Sequence, residues 1–477
     1  MVEVQSSQWI TPLIFGAVGI VIGLAILLGV YPLIIILIVS LTGYMIWRHE
    51  EFGVVLIVVF TASVIYEEQL PSVATAVGNF HLIDLFFFSY LGLILVKRFV
   101  DSERLLINTL LDVPLLIFWV IAILSLMLAV VHFNVPVRSA LSELRIITYY
   151  LIFFAVTNLL RQPQQLRRLV NGLHLIALVV VAFMVLQVSL GHAIHIIPAR
   201  VESLATMGRT YSDTIRVIPP GNTLIYVMLM IAAATVTIHR MTFVRVGLAM
   251  VLLCGLIIGF NRNLWLPAIV MIGLMFLVGT SDHKIRLMIA ACGFVFLSMA
   301  MVTYVQINDG QLKQYVDSTW DRLWSLTRGR KLVTEGTLID RVIENRIART
   351  HIMQHPILGI GLGNDYRDDV DWNPKLNAYI HNGYLWILMK MGGLGFIPFM
   401  WLLTVGAFRG LKRWKQIPDP FWQSMCLGFT MAHLGMMLSS LVNPVFMQWH
   451  STPLIGIVLG GNELIFHWYP DSAPVIE

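Results

Sequence analysis

The chain has 477 residues, of which 57% are hydrophobic and only 12% charged, with a mean hydropathy of +0.79. A soluble domain is usually about 25% charged, so the composition excludes a water-soluble globular protein, and the long apolar runs without alternation exclude a transmembrane β-barrel. The formal net charge of +5 calls for no nucleic acid, because membrane proteins gather Lys and Arg in their cytoplasmic loops.

The N-terminus lacks a basic region and a small-residue cleavage site, so no removable signal is expected and the hairpin from Thr11 to Trp47 should stay in the membrane. With roughly 20 residues per span, and shorter or tilted helices allowed, the expected fold is all-α and polytopic, with about fourteen transmembrane helices and one large extracytoplasmic helical loop. The spans fall near 11–30, 32–47, 53–66, 80–97, 111–131, 145–160, 169–190, 221–238, 243–260, 263–280, 285–305, 382–407, 421–440 and 450–467. The chain then divides into N-terminal helices (1–220), helices carrying Arg262 (221–305), an extracytoplasmic loop subdomain (306–380) and C-terminal helices (381–477).

Alternate loops carry the basic residues: Arg48; Lys97, Arg98 and Arg104; Arg161, Arg167 and Arg168; Arg240 and Arg245; Lys284 and Arg286; and Arg409, Lys412, Arg413 and Lys415. The positive-inside rule makes their side the cytoplasm and puts both termini there. Arg138, Arg200, Arg209 and Arg216 fall on the other side, with "YEEQLPS", the loop 191–220, the tight turn at Asn261–Arg262 and the insertion 306–380. Cys254, Cys292 and Cys426 lie inside apolar runs and read as small core residues, not as a disulfide or metal set.

The insertion is long enough to be functional, and Tyr315, Trp320 and Trp324 argue that it is ordered. Within it, "TLIDRVIENRIARTHIMQHPILGIGLGN" reads as a helix and a turn. Thr337 and Asp340 resemble a capping box. Ile339, Val342, Ile343 and Ile347 form one apolar stripe, while Arg341, Glu344 and Asn345 share another side at i, i+3 and i+4. Pro356, Gly359, Gly361 and Gly363 are expected to end the helix in an open loop.

Each candidate side chain has a plain alternative. Arg262 in "GFNRNLWLP" is either a snorkelling arginine or an anion clamp, since guanidinium matches phosphate oxygens in a bidentate fork. Arg341 belongs either to a solvated face with Glu344 or to the same clamp; Arg346 and Arg349 read as surface charges. His381, opening "HNGYLWILMKMGGLG", is either a polar cap or a base. Asn382 is placed to cap the following helix, and Gly383, Gly392, Gly393 and Gly395 suit close helix packing. The topology puts Arg262, Arg341 and His381 on the same non-cytoplasmic side. Two arginines and a histidine suit a diphosphate leaving group and a nucleophilic hydroxyl.

At these residues the chain resembles the O-antigen ligase and polymerase family of membrane glycosyltransferases. "HPILGIGLGN", preceded by Arg341, resembles the family's arginine–helix–His-Pro-x-x-Gly-x-Gly segment. "HNGYLWILMKMGGLG" resembles its His-Asn/Ser segment, and "NRNLW" resembles a serine–arginine–glycine segment, with Asn261 and Asn263 in place of the serine and glycine. Asn345 stands where the family often has a tryptophan. The likeness covers roughly residues 220–440.

The resemblance implies inverting transfer of a glycan from a polyprenyl (undecaprenyl-type) diphosphate to an acceptor hydroxyl, without metal, nucleotide sugar or other cofactor. It implies His381 as catalytic base and Arg262 and Arg341 as diphosphate-binding, with Arg346, Glu344 and Asn382 in support. The expected partners are the lipid-linked donor, a glycan or lipid-linked acceptor, the bilayer, and chain-length regulators or other polysaccharide assembly proteins. The expected place is the bacterial inner membrane, with the site facing the periplasm or exterior. A surface-polysaccharide polymerase is the first expectation, resting on the span count; the alternatives are a ligase acting on lipid A core and a polysaccharide flippase. A transporter would place polar groups at midplane; His433 and Asp84 are the candidates, and no internal repeat is evident.

Overall fold

The computed structural model describes residues 30–75, 78–100, 106–191, 194–197, 200–206, 209–308, 310–324, 336–367 and 377–470. The chain forms two compact units, residues 1–53 and 54–477. The described part of the first is helix α1 (Val30–Arg48) and the start of α2 (Glu50–Thr61).

In the second unit a hairpin, β1 (Ser72–Thr75) and β2 (Gly78–His81), precedes α3 (Leu82–Val100), α4 (Asp112–His132), α5 (Val137–Thr148), α6 (Ile152–Leu159) and α7 (Pro163–Leu190). A second hairpin, β3 (Arg200–Thr206) and β4 (Arg209–Ile218), leads to α8 (Asn222–Ile238), α9 (Phe243–Ile258), α10 (Arg262–Val278) and α11 (Ser281–Asn308). Then come α12 (Gly310–Trp324), α13 (Gly336–Gln354), α14 (Gly383–Arg413), α15 (Pro420–Ser439) and α16 (Thr452–Trp468). The expected span 11–30 lies outside the described residues but for Val30; the other expected spans overlap helices, with 53–66 running past the end of α2 at Thr61 and 145–160 falling across α5 and α6.

By length and composition, the described helices able to cross a membrane are Asp112–His132, Val137–Leu159, Pro163–Leu190 and Gly383–Gln416, while α8, α9 and α10 are shorter apolar helices. A helix apolar all round belongs in a core, and nearly every residue of α8 and α16 and most of α15 is buried. The surrounding helices turn large apolar side chains outward, among them Leu116, Val120, Leu124 and Met127 of α4 and Leu266, Ile269 and Val270 of α10. A surface this apolar is the kind that faces lipid. Cys254 and Cys292 belong to it: both are exposed, and only Cys426 is the buried packing residue expected of all three.

The two hairpins depart from a purely helical reading. In β4, "RTYSDTIRVI" is rich in β-branched residues, with Ile215 and Val217 buried on one face. The hairpin is tied to α12 by Tyr315, whose hydroxyl accepts from the Ile215 N–H at 3.0 Å and donates to the Ile215 carbonyl at 2.7 Å. Burial pushes the Tyr315 phenol up to about 12, so it remains a donor at neutral pH.

The bundle has two chemically distinct ends. At one, Arg286 donates to Ile238 O, Arg409 binds Glu463 at 2.6 Å, Arg413 donates to Tyr469 O at 2.6 Å and the Arg167 guanidinium lies 4.1 Å from the Phe421 ring. At the other, Thr223 meets Ser451 at 3.0 Å, the Gly383 N–H donates to Ser440 O at 2.8 Å and Tyr150 Oη donates to Phe446 O at 3.0 Å. Helix α14 joins the two, starting beside His381 and ending in Lys412 and Arg413.

That helix is broken at Gly392, where φ is 61° and ψ −166°. A break frees backbone groups that must find new partners, and the segment after α13 supplies them. Met389 O and Lys390 O accept from the Ile360 and Gly361 N–H groups at 2.9 and 3.0 Å. Gly393 and Leu394 N–H donate to Pro356 O and Ile357 O at 2.8 and 3.2 Å. The glycine segment is therefore not an open loop: residues 359–362 are buried, and Gly359, Gly361 and Gly363 all have positive φ.

A Cβ at Gly392 would stand 2.2 Å from Ile357 O, whereas one at Gly393 would meet only Pro356 O at 3.4 Å. Gly392→Ala should therefore cost about 1–3 kcal/mol or more and Gly393→Ala much less. Thermal unfolding of the two variants in detergent measures this difference.

Candidate active site

His381 sits immediately before α14, and Asn382 caps that helix, its Oδ1 accepting from the Tyr384 and Leu385 N–H groups at 3.0 and 3.1 Å. This is the capping role its position predicted. The histidine is held from α13. Glu344 Oε2 lies 2.8 Å from His381 Nδ1 and 3.1 Å from the His381 backbone N. The carboxylate is buried, with its side chain 3% exposed, while the His381 side chain is 32% exposed.

Arg367 Nη2 is 3.6 Å from the other oxygen, Glu344 Oε1, so the buried charge is both paired and hydrogen-bonded, which is what allows it to be buried. Two donors on one carboxylate oxygen assign the proton to Nδ1 and leave the Nε2 lone pair available. Nε2 makes no hydrogen bond among the described residues, and Tyr379 packs edge-on to the ring at 5.0 Å.

The solvated-face reading of the Arg341 side of α13 is thereby overturned. Glu344 and Ala348 are buried, while Ile339, Val342 and Ile343 on the apolar stripe are 48%, 64% and 42% exposed. Ile357 and Leu358, which follow the helix, are exposed as well. Periodicity identifies a shared face but not what it meets; the polar face turns inward here because His381 and Arg367 satisfy its carboxylate. Arg341 lies one turn before Glu344 and is half-buried, whereas Arg346 and Arg349 are exposed.

Arg262 is the first residue of α10, at the helix end where free N–H groups and the dipole favour anions. The turn before it is clasped by two other arginines. Arg216 donates to Asn261 Oδ1 at 2.6 Å and to Gly259 O at 3.4 Å, and Arg322 donates to Phe260 O at 3.4 Å. Phe260 has φ 47°, rare for a non-glycine residue, and its ring lies between those of Trp265 and Tyr315 at 6.1 and 6.0 Å. Arg262 thus belongs to a group with Arg216 and Arg322. Met271, further along α10, neighbours Gly435 in the last turns of α15, which sets the start of α10 toward the bundle end where α14 also starts.

Sequence reasoning missed the anchor beneath the site. Lys390, fully buried in α14, donates to Glu143 Oε1 at 3.0 Å and to Asn364 O. Glu143 Oε2 accepts from the Gly363 N–H at 2.6 Å. A buried ion pair holds only when its remaining valences are filled, and here the glycine segment fills them. A lysine inside the apolar run "LWILMKMGG" was the available signal. The two midplane candidates have local partners: His433 Nε2 is 2.9 Å from Leu403 O, and Asp84 pairs with Arg145.

No curated protein matches the chain. Residues 225–400 match the family model described as O-antigen ligase. The matched stretch contains Arg262, Arg341, Glu344, His381, Lys390 and the break at Gly392. The chain carries an O-antigen ligase domain over those residues, which supports its resemblance to the O-antigen ligase and polymerase family.

Proposed function

We propose that the chain transfers a glycan from a polyprenyl diphosphate to an acceptor hydroxyl, with His381 as the base. The observation that carries this reading is the buried Glu344 carboxylate, which binds both Nδ1 and the backbone N–H of His381. An imidazole oriented by a carboxylate, with its second nitrogen open, is the recurrent form of a general base.

The acceptor oxygen attacks the anomeric carbon as the bond to the diphosphate oxygen breaks. The hydroxyl proton passes to His381 Nε2, and the polyprenyl diphosphate leaves with its charge balanced by Arg262 and Arg341. A single displacement inverts the anomeric centre and calls on no metal. The outward apolar stripe of α13 suits a helix lying in the membrane interface, where a lipid-linked diphosphate is presented. The basic end of the bundle is then cytoplasmic, and the His381 end faces the periplasm or exterior of a bacterial inner membrane.

Two acceptors fit this chemistry: a growing lipid-linked chain, making the protein a polymerase, and a separate core sugar, making it a ligase. The span count expected from the sequence favours the first and the description of the matching family favours the second. Purified protein incubated with a lipid-linked repeat unit is expected to give a ladder of products from donor alone; a single-step product that requires added core acceptor identifies a ligase. Transfer in neither case rejects the reading.

A further inference from the structure

On the far side of α5 from Glu143 is a cavity of about 360 Å³, lined by α3, α5 and the segment around β2. Its polar wall is a network centred on Arg145. Asp84 Oδ1 accepts from Arg145 Nε at 2.6 Å and from Tyr149 Oη at 2.7 Å, and Asp84 Oδ2 accepts from the His81 N–H at 3.0 Å. Glu67 pairs with Arg145 Nη1 and lies 3.7 Å from His81 Nε2. Arg138, exposed at the lining, makes no ion pair or hydrogen bond among the described residues. Phe80, Phe87, Phe88 and Tyr149 supply aromatic surface.

A brace between the β1–β2 hairpin and α5 accounts for the ion pairs, but not for the room beside them or for their unused hydrogen-bonding capacity. Arg145 Nη2 and His81 Nδ1 are buried without a hydrogen-bond partner among the described residues, and such groups are costly to leave unsatisfied. The lining carries two carboxylates and two guanidinium groups, so an anion gains no net attraction there. An apolar chain would desolvate charges without replacing their water. A sugar ring presents hydroxyls that both donate and accept, together with C–H faces that pack on aromatic rings, and the volume is at the small end of the ligand-pocket range of roughly 300–1,000 Å³.

The cavity also lies near the end of the bundle where α14 starts. Tyr149 lines it, the next residue, Tyr150, donates to Phe446 O, and the Phe446 ring packs on Tyr384 at 5.2 Å, three residues after His381.

We infer that this cavity is a saccharide subsite, holding a sugar of the glycan at a distance from the reacting hydroxyl. The assignment rests on the glycan-transfer reading for its source, which is either the acceptor chain or the donor repeat. The test uses the full chain in nanodiscs, with Arg138→Ala, Phe80→Ala and Glu67→Gln as variants; Arg138 and Phe80 are exposed and lie outside the ion-pair network. The probe is the free repeat-unit oligosaccharide, without lipid or diphosphate.

Each variant should bind this probe about 10-fold more weakly, the scale of one lost hydrogen bond to a charged group for Arg138→Ala and Glu67→Gln and of a lost aromatic packing face for Phe80→Ala. KM should rise by a similar factor with kcat nearly unchanged. A rise confined to titration of the acceptor identifies the acceptor chain as the source, and one confined to the donor identifies the donor. Equal binding of the oligosaccharide by wild type and all three correctly folded variants overturns the subsite, as does absence of binding by wild type. Binding that weakens in the variants of a protein showing no transfer supports the subsite and rejects the transferase reading instead.

Discussion

His381→Ala is expected to lower glycan transfer by about 10²–10⁴-fold, the usual contribution of a positioned base, while the protein still inserts and still binds lipid-linked donor. His381→Gln should not restore turnover, because an amide can hydrogen-bond the acceptor hydroxyl but cannot take its proton at neutral pH. Glu344→Gln separates base from scaffold. It keeps the shape of the carboxylate but offers Nδ1 a neutral partner, so the imidazolium formed during transfer loses its counter-charge and the tautomer is no longer fixed. A loss of about 10²-fold or more in kcat, with donor binding intact, is the expected result. Initial rates at equal membrane abundance measure both variants. Near-normal turnover in His381→Gln would make the residue a positioning group and leave acceptor deprotonation to the diphosphate itself.

The parts of this site legible in the sequence are those whose signal is local. A histidine and asparagine before an apolar run marked the start of α14, and Asn382 does cap it. Long apolar runs marked the helices because a spanning segment must satisfy its own backbone. What the sequence hides is set by distant partners. The face that α13 buries follows from His381 and Arg367 meeting Glu344, not from its 3.6-residue period, and an amphipathic helix beside lipid has no rule that its apolar stripe turns inward. The glycines at 359, 361, 363 and 392 read as loop and packing residues. Their actual requirement is the docking of one backbone segment into a break in another, which becomes visible only when both are placed. Lys390 and Glu143 are 247 residues apart, so neither announces the other. The second hairpin was closer to legible, since the segment 209–218 is rich in β-branched residues.

Arg262→Lys and Arg341→Lys should each lower turnover by about 10²-fold, the scale of removing one preorganised donor from a developing negative charge, although both retain the positive charge. The diphosphate oxygens gain charge as the glycosidic bond breaks, and a planar guanidinium meets two of them at once where an ammonium is a point charge. The two positions differ in how they are held. Arg262 opens α10, and Arg216 and Arg322 fix the turn before it by donating to Gly259, Phe260 and Asn261; its substitution should alter kcat more than the stability of the fold. Arg341 is one turn from Glu344 on α13, so Arg341→Lys is best compared with Arg346→Lys and Arg349→Lys on the same helix. Those two side chains are exposed, and their replacement should leave rates within about 2-fold, as for most surface charges. Raising ionic strength separates specific contact from general attraction, because screening weakens exposed charges much more than buried ones. If Arg341→Lys turned over as well as Arg349→Lys, Arg341 would be a surface charge beside the site, and the diphosphate would be held from the α10 side alone.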